Sequence, residues 1–369
     1  MQKERIHGGN VYKAAKELNV SPNEILDFSA NINPLGFPHA VEKIILEHIK
    51  DIAYYPDTEQ NELREAAASY YGTKPSCIMP GNGSVELINI VFEAVEPKEV
   101  IIPSPTFLEY ARICKNRRLK TRLLDLTANN FILDIELFNR IKNTISPNSL
   151  FIVCNPNNPT GIITKKSDLI VILEELKTRN SYLMIDEAFM DFVEENESMV
   201  DFIEQYDNLI ILKSVTKFFA IPGLRLGFVL TNPELMKTFY NLKDPWNINT
   251  FAGFVGTEIF KDEKYIQDTR SYISREKKRL WKNISKIPNL EPVFPEANFI
   301  FAKIIGKIKV TALAEKLKQK KILIRNCSNY DFLNENFFRI AVKKSEENNI
   351  LITALNEILC INTKKEDNL

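Results

Sequence analysis

The chain has 369 residues, 44% of them hydrophobic and 26% charged, which is typical of a folded globular protein. Its length predicts two domains, or one large fold with an appendage. The 48 basic and 48 acidic side chains give a formal net charge of zero. This balance argues against nucleic acid or an anionic membrane as the main partner, because binding to either needs a large positive excess. The sequence also contains no apolar run near the roughly 20 residues that cross a bilayer, and no secretory signal at its N-terminus.

The cysteines and histidines indicate the redox state of the compartment and whether a metal site is expected. The five cysteines are an odd number, lie far apart and form no CxxC pair. They are therefore typical of reduced thiols in a cytoplasmic protein, and not of a disulfide framework or a zinc site. The three histidines have no metal-ligand spacing. The sequence predicts a cytoplasmic enzyme or binding protein without a metal site.

Short apolar, β-branched segments recur along the chain, and longer stretches with apolar residues at helical spacing lie between the early ones. One such helical stretch covers residues 166–180. Near-continuous apolar strands that alternate with amphipathic helices indicate an α/β fold whose parallel sheet is covered on both faces. The predicted strands are 99–103, 149–154, 181–185, 208–213 and 225–230.

One connection predicts an exception to the parallel pattern. Only eleven residues, 214–224, separate the strands at 208–213 and 225–230. Because this is too short for a helical crossover, the second strand is expected to run antiparallel, with the loop folded across the end of the sheet. From about residue 272 the pattern changes to a basic helix at 274–287 and short strands, which predicts a smaller α+β domain.

A lysine follows the predicted strand at 208–213. Lys217 stands in the short loop at the carboxyl edge of the sheet, where open α/β folds bind ligands. Most single lysines are solvated surface groups, but Ser214 and Arg225 flank this one, and both residue types bind phosphate. The combination indicates a phosphate-bearing ligand.

Three further segments lie at strand ends or at a helix start. The run NPNNPTG at 155–161 forces a tight turn after a strand, although turn geometry alone would account for it. Asp186 ends another apolar strand, where a buried carboxylate needs a cationic partner unless it only caps a helix. Gly83 and Ser84 lead into an apolar helix, and free N–H groups at such a start bind phosphate readily.

Together the segments supply a lysine for a Schiff base, a buried acid for a pyridinium nitrogen, an amide for a phenolic oxygen and a phosphate cup. These are the parts of a pyridoxal 5'-phosphate site. On these residues the chain resembles the aspartate-aminotransferase-like superfamily of fold-type I pyridoxal-phosphate enzymes, over essentially its whole length. The resemblance implies a mostly parallel seven-stranded sheet with one antiparallel strand, and a small α+β domain. It further implies a large cofactor-binding domain at 46–271 and a small domain formed by both chain ends, 1–45 and 272–369.

Within that superfamily the chain resembles threonine-phosphate decarboxylases of cobalamin biosynthesis. Histidinol-phosphate aminotransferases are near relatives that share the NPNNPTG and lysine segments. They usually carry Tyr after the Asp-Glu-Ala triplet, where this chain has Phe189. The motifs that carry the closer resemblance are HGGN (7–10), DFSANINPLG (27–36), YPD (55–57), DEAF (186–189), KFFAIPGLRLG (217–227) and IRNCSNY (324–330).

The resemblance implies a role for each cofactor-binding residue. Lys217 forms the Schiff base and later donates a proton, Asp186 pairs with the pyridinium nitrogen, and Asn158 hydrogen-bonds the ring hydroxyl. Phe107 is expected to stack on the ring, although a core phenylalanine is the simpler alternative. The residues implied for the cofactor phosphate are Gly83, Ser84, Val85, Ser214, Arg225 and, from the second subunit of a homodimer, Tyr55.

Substrate recognition is expected to depend on two arginines near the end of the chain. The full implied set is Arg325, Arg339, Ser29, Asn31, Asn158 and, across the dimer, His7.

The implied activity is decarboxylation of L-threonine O-3-phosphate to (R)-1-amino-2-propanol O-2-phosphate. Serine phosphate, decarboxylated to ethanolamine phosphate, is a further substrate or the substrate in place of threonine phosphate. Transamination of histidinol phosphate is the alternative. A third class, a non-catalytic regulator with the same fold, would carry an attached DNA-binding domain. Here the catalytic motifs begin almost at the first residue, so a regulator is not expected.

Overall fold

The computed structural model describes residues 8–360, and for residue 360 it describes the backbone only. His7, expected to contact the substrate, lies outside the described residues. The helices are α1 (Val11–Leu18), α2 (Ala40–Glu47), α3 (Asn61–Tyr71), α4 (Ser84–Val95), α5 (Glu109–Asn116), α6 (Ile135–Ile141), α7 (Lys166–Lys177), α8 (Val215–Phe218), α9 (Pro233–Leu242), α10 (Thr250–Ile259), α11 (Glu263–Ile284), α12 (Val310–Gln319) and α13 (Ser345–Cys360). The strands are β1 (Leu26–Asp27), β2 (Ile78–Gly81), β3 (Glu99–Ser104), β4 (Lys120–Asp125), β5 (Ser149–Cys154), β6 (Tyr182–Asp186), β7 (Leu209–Ser214), β8 (Gly227–Leu230), β9 (Leu290–Pro292), β10 (Phe299–Ile304), β11 (Ile322–Leu323), β12 (Arg325–Asn326) and β13 (Phe337–Ala341).

Seven strands form one mixed sheet in the order β2-β8-β7-β6-β5-β3-β4. Strand β8 runs antiparallel to both of its neighbours, β7 and β2, while the pairs among β3 to β7 are parallel. The prediction of a mostly parallel seven-stranded sheet with one antiparallel strand is confirmed. The short connection before β8 holds helix α8 and a 3-10 turn at Pro222–Leu224.

The central strands are apolar on both faces because helices cover both. Side chains of β7 alternate between two separate hydrophobic clusters, with Ile211 on one face and Ile210 and Leu212 on the other. All six residues of β5 and of β7 are buried, and each buried aliphatic side chain stabilises the fold by roughly 1.5–3 kcal/mol. This core fixes the strands firmly, so the polar residues at their ends are held in defined positions.

The later part of the chain forms a second, antiparallel sheet in the order β12-β13-β10-β9. A separate two-stranded parallel pair joins the chain ends: Leu26 of β1 faces Ile322 of β11. The predicted domain boundaries at 45/46 and 271/272 fall inside α2 and α11. Because these helices are continuous, the division of the chain into 46–271 and its two ends stays a prediction.

Helix α11 is longer than the basic helix predicted at 274–287. It begins at Glu263, where the side chain of the preceding Asp262 accepts a hydrogen bond of 2.9 Å from the backbone N–H of Tyr265. An acidic cap of this kind satisfies an N–H that otherwise has no partner in the helix. The capping signal, and not the basic composition, marks the start of the helix.

None of the helices within residues 8–360 is long and apolar enough to cross a membrane. Within the same residues, no group of three or more His, Cys, Asp or Glu side chains is arranged to hold a metal ion.

Candidate active site

The register of the large sheet brings the predicted motifs to one edge. Asp186 at the end of β6 lies opposite Cys154 at the end of β5. Ser214 at the end of β7 lies opposite Gly227, which in turn lies opposite Gly81 at the end of β2. Because β2 leads into α4 and β7 into α8, the start of α4 and the lysine loop are neighbours at this edge.

Glycine is required where these segments meet. Gly83 has φ +77° and ψ 165°, a region that is essentially restricted to glycine, and a Cβ there would collide with the guanidinium of Arg225. A Cβ on Gly227 would lie 3.2 Å from the backbone nitrogen of Ser84 and 3.0 Å from the carbonyl oxygen of Lys213. The two glycines therefore allow Arg225 and the N-terminus of α4 to line one concave cup. Anions bind favourably at such a helix start because its N–H groups have no partners within the helix.

Lys217 lies in α8 beside this cup. Its Nζ donates a 2.8 Å hydrogen bond to Oγ of Ser214. Burial lowers the pKa of the Lys217 amine, the negative charge of Asp186 opposes this, and the positive charge of Arg225 adds to the lowering. A larger neutral fraction makes the amine a better nucleophile at neutral pH.

Asp186 is buried beneath the sheet edge, with 3% of its surface exposed. Oδ2 accepts a 2.6 Å hydrogen bond from the hydroxyl of Tyr110, and Oδ1 accepts a 3.1 Å bond from the backbone N–H of Ala188. Burial raises the pKa of the Asp186 carboxyl, against the hydrogen bond from Tyr110 and the charge of Lys217. A carboxylate offers about four acceptor positions, so capacity remains for a cationic N–H from a ligand.

The NPNNPTG turn is held against the segment after β3. Asn157 donates to the carbonyl of Pro105 at 2.9 Å and accepts from the hydroxyl of Thr106 at 2.7 Å. This fixes the next residue, Asn158, whose side-chain oxygen accepts a hydrogen bond from Arg339. The turn therefore connects the segment after β3 with Arg339, in addition to reversing the chain.

Arg325 and Arg339 face each other directly in the β12–β13 pair, so their side chains project on the same side of the sheet. Only 4% and 5% of their surfaces are exposed. Arg325 donates to Oδ1 of Asn329 at 2.9 Å, and Arg339 donates to the carbonyl of Ser29 at 2.7 Å. Both contacts are to neutral oxygens, and Nε of Arg339 is buried without a partner among the described residues. Two buried like charges in this position repel each other, and an anionic ligand would relieve that repulsion.

The N-terminal loop approaches the site from the opposite end of the chain. The hydroxyl of Ser29 donates to Asp27 at 2.5 Å and accepts from the N–H of Gly9 at 2.8 Å, so its side chain is engaged in holding the loop. The side-chain oxygen of Asn31 is buried and has no partner within residues 8–360. Their predicted roles in substrate binding stay predictions, and the orphaned oxygen of Asn31 is the better placed for a ligand.

The remaining predicted residues lie at the margins of the site or outside it. Phe107 is partly buried, and its ring meets that of Tyr110 edge to face at 5.4 Å between centroids. Val85 is partly buried in the first turn of α4. Tyr55 is 80% exposed and packs against Trp246, so within one chain it joins none of these contacts.

Two residues with clear contacts to the site were missed in the sequence. Tyr110 binds Asp186 as described, and Asn33 binds the lysine loop: its N–H donates to the carbonyl of Lys217 at 3.0 Å, and its side chain donates to the carbonyl of Phe218 at 2.8 Å. Asn33 lies inside the predicted motif DFSANINPLG, and Tyr110 lies three residues after Phe107. Their residue types alone gave no signal, because Tyr and Asn are common in cores and turns.

Comparison with known proteins identifies the family. The model of the "Aminotransferase class I and II" family matches residues 23–355. The chain belongs to that family. It is similar to the threonine-phosphate decarboxylase of Salmonella typhimurium (strain LT2), with 32% identity over 360 residues and 96% of each chain covered.

This aminotransferase-family chain is also similar to a longer protein and to a solved structure. The adenosylcobalamin biosynthesis bifunctional protein CobDQ of Leptospira interrogans is 35% identical over 357 residues, which cover 95% of this chain and 41% of that longer protein. The crystal structure of the histidinol-phosphate aminotransferase from Clostridium acetobutylicum superposes with a TM-score of 0.84 at 31% identity, covering 90% of this chain and 99% of the other. The fold-type I architecture is thereby confirmed.

Members of this class I and II aminotransferase family use pyridoxal 5'-phosphate, and the residues present fit that group. Gly83 leaves open the cradle beside Arg225 that a Cβ would fill. Asp186 is a buried acid with unused acceptor capacity. Lys217 is an amine whose pKa burial lowers. Together they offer an anion cup, a partner for a protonated ring nitrogen and a nucleophile for an aldehyde.

The cradle gives a testable expectation for Gly83→Ala. A Cβ at this φ costs about 1–3 kcal/mol and displaces Arg225 from the cup, so the apoprotein should bind pyridoxal 5'-phosphate at least about ten-fold more weakly. Fluorescence titration of apoprotein with the cofactor measures this. Gly223→Ala is the matched control, since apart from its chain neighbours no atom of residues 8–360 lies within 4 Å of a Cβ built there. Equal dissociation constants for the two variants would show that the cup does not hold the cofactor phosphate.

Proposed function

We propose that the chain decarboxylates L-threonine O-3-phosphate to (R)-1-amino-2-propanol O-2-phosphate in cobalamin biosynthesis, and that serine phosphate is also a substrate, giving ethanolamine phosphate. The observation that carries the proposal is the buried pair Arg325 and Arg339, which face each other across β12 and β13 and form no direct ion pair with a carboxylate within residues 8–360. Two guanidinium groups on one side of a sheet are well suited to a phosphate dianion, which they bind in a bidentate manner. The relatives named for threonine phosphate and for adenosylcobalamin biosynthesis support the same assignment.

The choice of bond at the substrate α-carbon follows from which anionic group the arginines hold. When bound, pyridoxal phosphate supplies an electron sink for the bond that stands perpendicular to its ring. If Arg325 and Arg339 hold the substrate phosphate, the α-carboxylate has no arginine to keep it in the ring plane. The carboxylate can then occupy the perpendicular position and leave as CO2.

Each of the remaining residues has a defined task in this reaction. Asp186, as a carboxylate, keeps a proton on the ring nitrogen. The amine of Lys217 delivers one proton to the α-carbon in place of CO2, so that one carboxylate is lost and one proton is gained. Asn158 donates through its side-chain amide to the ring hydroxyl, while its oxygen remains bound to Arg339.

Phe189 distinguishes this site from the related aminotransferases. Its ring lies 5.8 Å from Nζ of Lys217 and packs edge to face on Phe299, with 5.0 Å between ring centroids. Arg339 in turn lies 5.3 Å over the ring of Phe299. Phe189 and Phe299 therefore form an apolar surface between Lys217 and Arg339. The related aminotransferases usually carry a tyrosine hydroxyl at the position of Phe189.

The proposal includes a cytoplasmic homodimer in which Tyr55 reaches the cofactor phosphate of the partner subunit. Tyr55 is exposed beside Trp246, and both Tyr54 and Ile52 nearby are more than half exposed. Aromatic and aliphatic groups in one exposed patch favour burial in a protein interface. The four cysteines whose side chains are described are free thiols, which fits a reducing compartment. Full activity in a species that sediments as a monomer would contradict the shared site.

The decisive experiment compares three substrates with one enzyme preparation. We expect CO2 release and the phosphorylated amino alcohol from threonine phosphate, and slower or comparable release from serine phosphate. A pocket discriminates one methyl group by only about 1–3 kcal/mol. No glutamate should form from 2-oxoglutarate with histidinol phosphate. Absence of CO2 from both phosphoamino acids would refute the decarboxylase.

Histidinol-phosphate transamination is the second candidate, favoured by the fold similarity to the Clostridium acetobutylicum enzyme. It predicts amino transfer to 2-oxoglutarate, which the decarboxylase does not. Since histidinol phosphate lacks a carboxylate, the same assay separates the two functions without a mutation.

A further inference from the structure

The hydroxyl of Tyr110 occupies an unusual position behind the site. The side chain of Tyr110 is fully buried, and its Oη donates to Oδ2 of Asp186 across 2.6 Å. This is a short O–H···O⁻ distance, typical of a charge-assisted hydrogen bond. The other carboxylate oxygen accepts from the N–H of Ala188, so the orientation of the carboxyl group is fixed from two directions.

The local sequence explains how the hydroxyl reaches this place. Tyr110 is the second residue of α5, directly after the segment 105–108 that leaves β3. Phe107 lies three residues before it, outside the helix, and the two rings meet edge to face. The segment that carries the predicted stacking ring therefore also carries the group that supports the acid.

We propose that Tyr110 is a positioning residue for the reaction, which acts through Asp186 by keeping its carboxylate ionised and aimed at the ring nitrogen of the cofactor. The proposal depends on the proposed function only in that the site binds pyridoxal 5'-phosphate. It does not depend on which phosphorylated substrate is used.

The direction of the effect follows from the competition for one proton between Asp186 and the ring nitrogen. Burial favours the neutral carboxylic acid, which would leave the ring nitrogen without its proton and weaken the electron sink. The hydrogen bond from Tyr110 favours the carboxylate and so favours the proton on the ring. Burial raises the pKa of the Tyr110 hydroxyl well above its ordinary value, so Tyr110 remains a donor over the working pH range.

Tyr110→Phe tests the proposal because it removes one oxygen and keeps the ring contact with Phe107. Hydrogen bonds to charged groups contribute about 1.5–3 kcal/mol, so kcat should fall about ten-fold or more while KM stays nearly unchanged. The pH at which the visible band of the bound cofactor changes should rise in this variant. A ring with less positive charge makes the Lys217 nitrogen hold its proton more tightly, so the acid dissociation constant of that nitrogen should fall about ten-fold.

Tyr240→Phe is the matched control. The hydroxyl of Tyr240 donates to a main-chain carbonyl of the same sheet, that of Ile78 at 3.4 Å, and does not bind Asp186. Its removal should leave the titration of the band and kcat unchanged. Thermal unfolding of both apoproteins excludes a general loss of structure.

A double-mutant cycle decides whether Tyr110 acts through Asp186. In an Asp186→Asn background the carboxylate is gone, so adding Tyr110→Phe should change kcat and the titration by less than about two-fold, given the usual additivity error of such cycles. The full ten-fold effect in that background, or an unchanged titration in the single variant, would overturn the proposal. If no phosphoamino acid is decarboxylated but the band still shifts, the proposed function fails and the role of Tyr110 stands.

Discussion

Lys217→Ala is expected to lower kcat/KM by at least about a thousand-fold and to abolish the visible absorption band of the bound cofactor. The variant removes both the amine that joins the aldehyde and the group that returns a proton to the α-carbon. A positioned acid or base alone contributes about 10²–10⁴-fold, and the covalent link adds to this. Absorption spectroscopy and a CO2-release assay measure the two losses independently.

Lys237→Ala serves as the control for Lys217→Ala. Its side chain is 70% exposed and pairs with Glu234 on the same helix, α9, outside the candidate site, so activity and spectrum should match the unmodified protein. A Lys217→Ala protein that keeps the visible band would show that another amine forms the link. Because burial lowers the pKa of Lys217 while Asp186 opposes this, no exposed lysine is an equivalent substitute.

Arg339→Lys is expected to lower kcat/KM about a hundred-fold, mainly through KM. Lysine keeps the positive charge but loses the planar fork that now binds Asn158 and the carbonyl of Ser29. The substrate phosphate loses a bidentate partner, and charge-assisted bonds contribute about 1.5–3 kcal/mol each. Steady-state kinetics with threonine phosphate, together with the dissociation constant of inorganic phosphate, measure the change.

The control for Arg339→Lys is Arg117→Lys. Arg117 donates to the carbonyl of Asn89 and pairs with Glu93 at the surface, and neither partner belongs to the candidate site, so its replacement should leave KM unchanged. If Arg339→Lys lowers kcat but keeps KM, Arg339 contacts the departing carboxylate rather than the phosphate. That result would contradict the arrangement proposed for the arginine pair.

Five of the seven strands of the large sheet could be predicted from the sequence because their signals are local. Apolar β-branched runs mark β3, β5, β6, β7 and β8, and the eleven-residue connection before β8 is too short for a helical crossover, so β8 runs antiparallel. Strands β2 and β4 were not predicted from local signals, because β2 contains Pro80 and Gly81 and β4 is partly exposed and carries polar residues. The start of α11 was less accessible. Asp262 caps it twelve residues before the basic stretch that begins at 274, and composition does not indicate where a cap lies.

The residues expected to bind the cofactor could be predicted from the spacing of the motifs. The residues that hold them in place could not. Lys217, Asp186 and Asn158 follow strand ends, so the parallel arrangement alone brings them to one edge. The bond between Tyr110 and Asp186 joins residues 76 positions apart, and Asn33 reaches Phe218 over 185 positions. Such contacts depend on register and on side-chain rotamers, which a single sequence does not encode in a readable pattern.

The two anchors of the N-terminal loop have a mechanical consequence. At one end Phe28 exchanges backbone hydrogen bonds with Leu323 and Ala341 of the later sheets, and five residues on Asn33 is bound to the carbonyl of Lys217. The segment between these anchors is bent at Ser29 and Ala30, and the N–H of Ile32 donates to the carbonyl of Ala30. One end of the loop is thus attached to the strands beside the arginines, and the other to the main chain of the lysine loop. The two halves of the candidate site are therefore joined by backbone hydrogen bonds as well as by side chains.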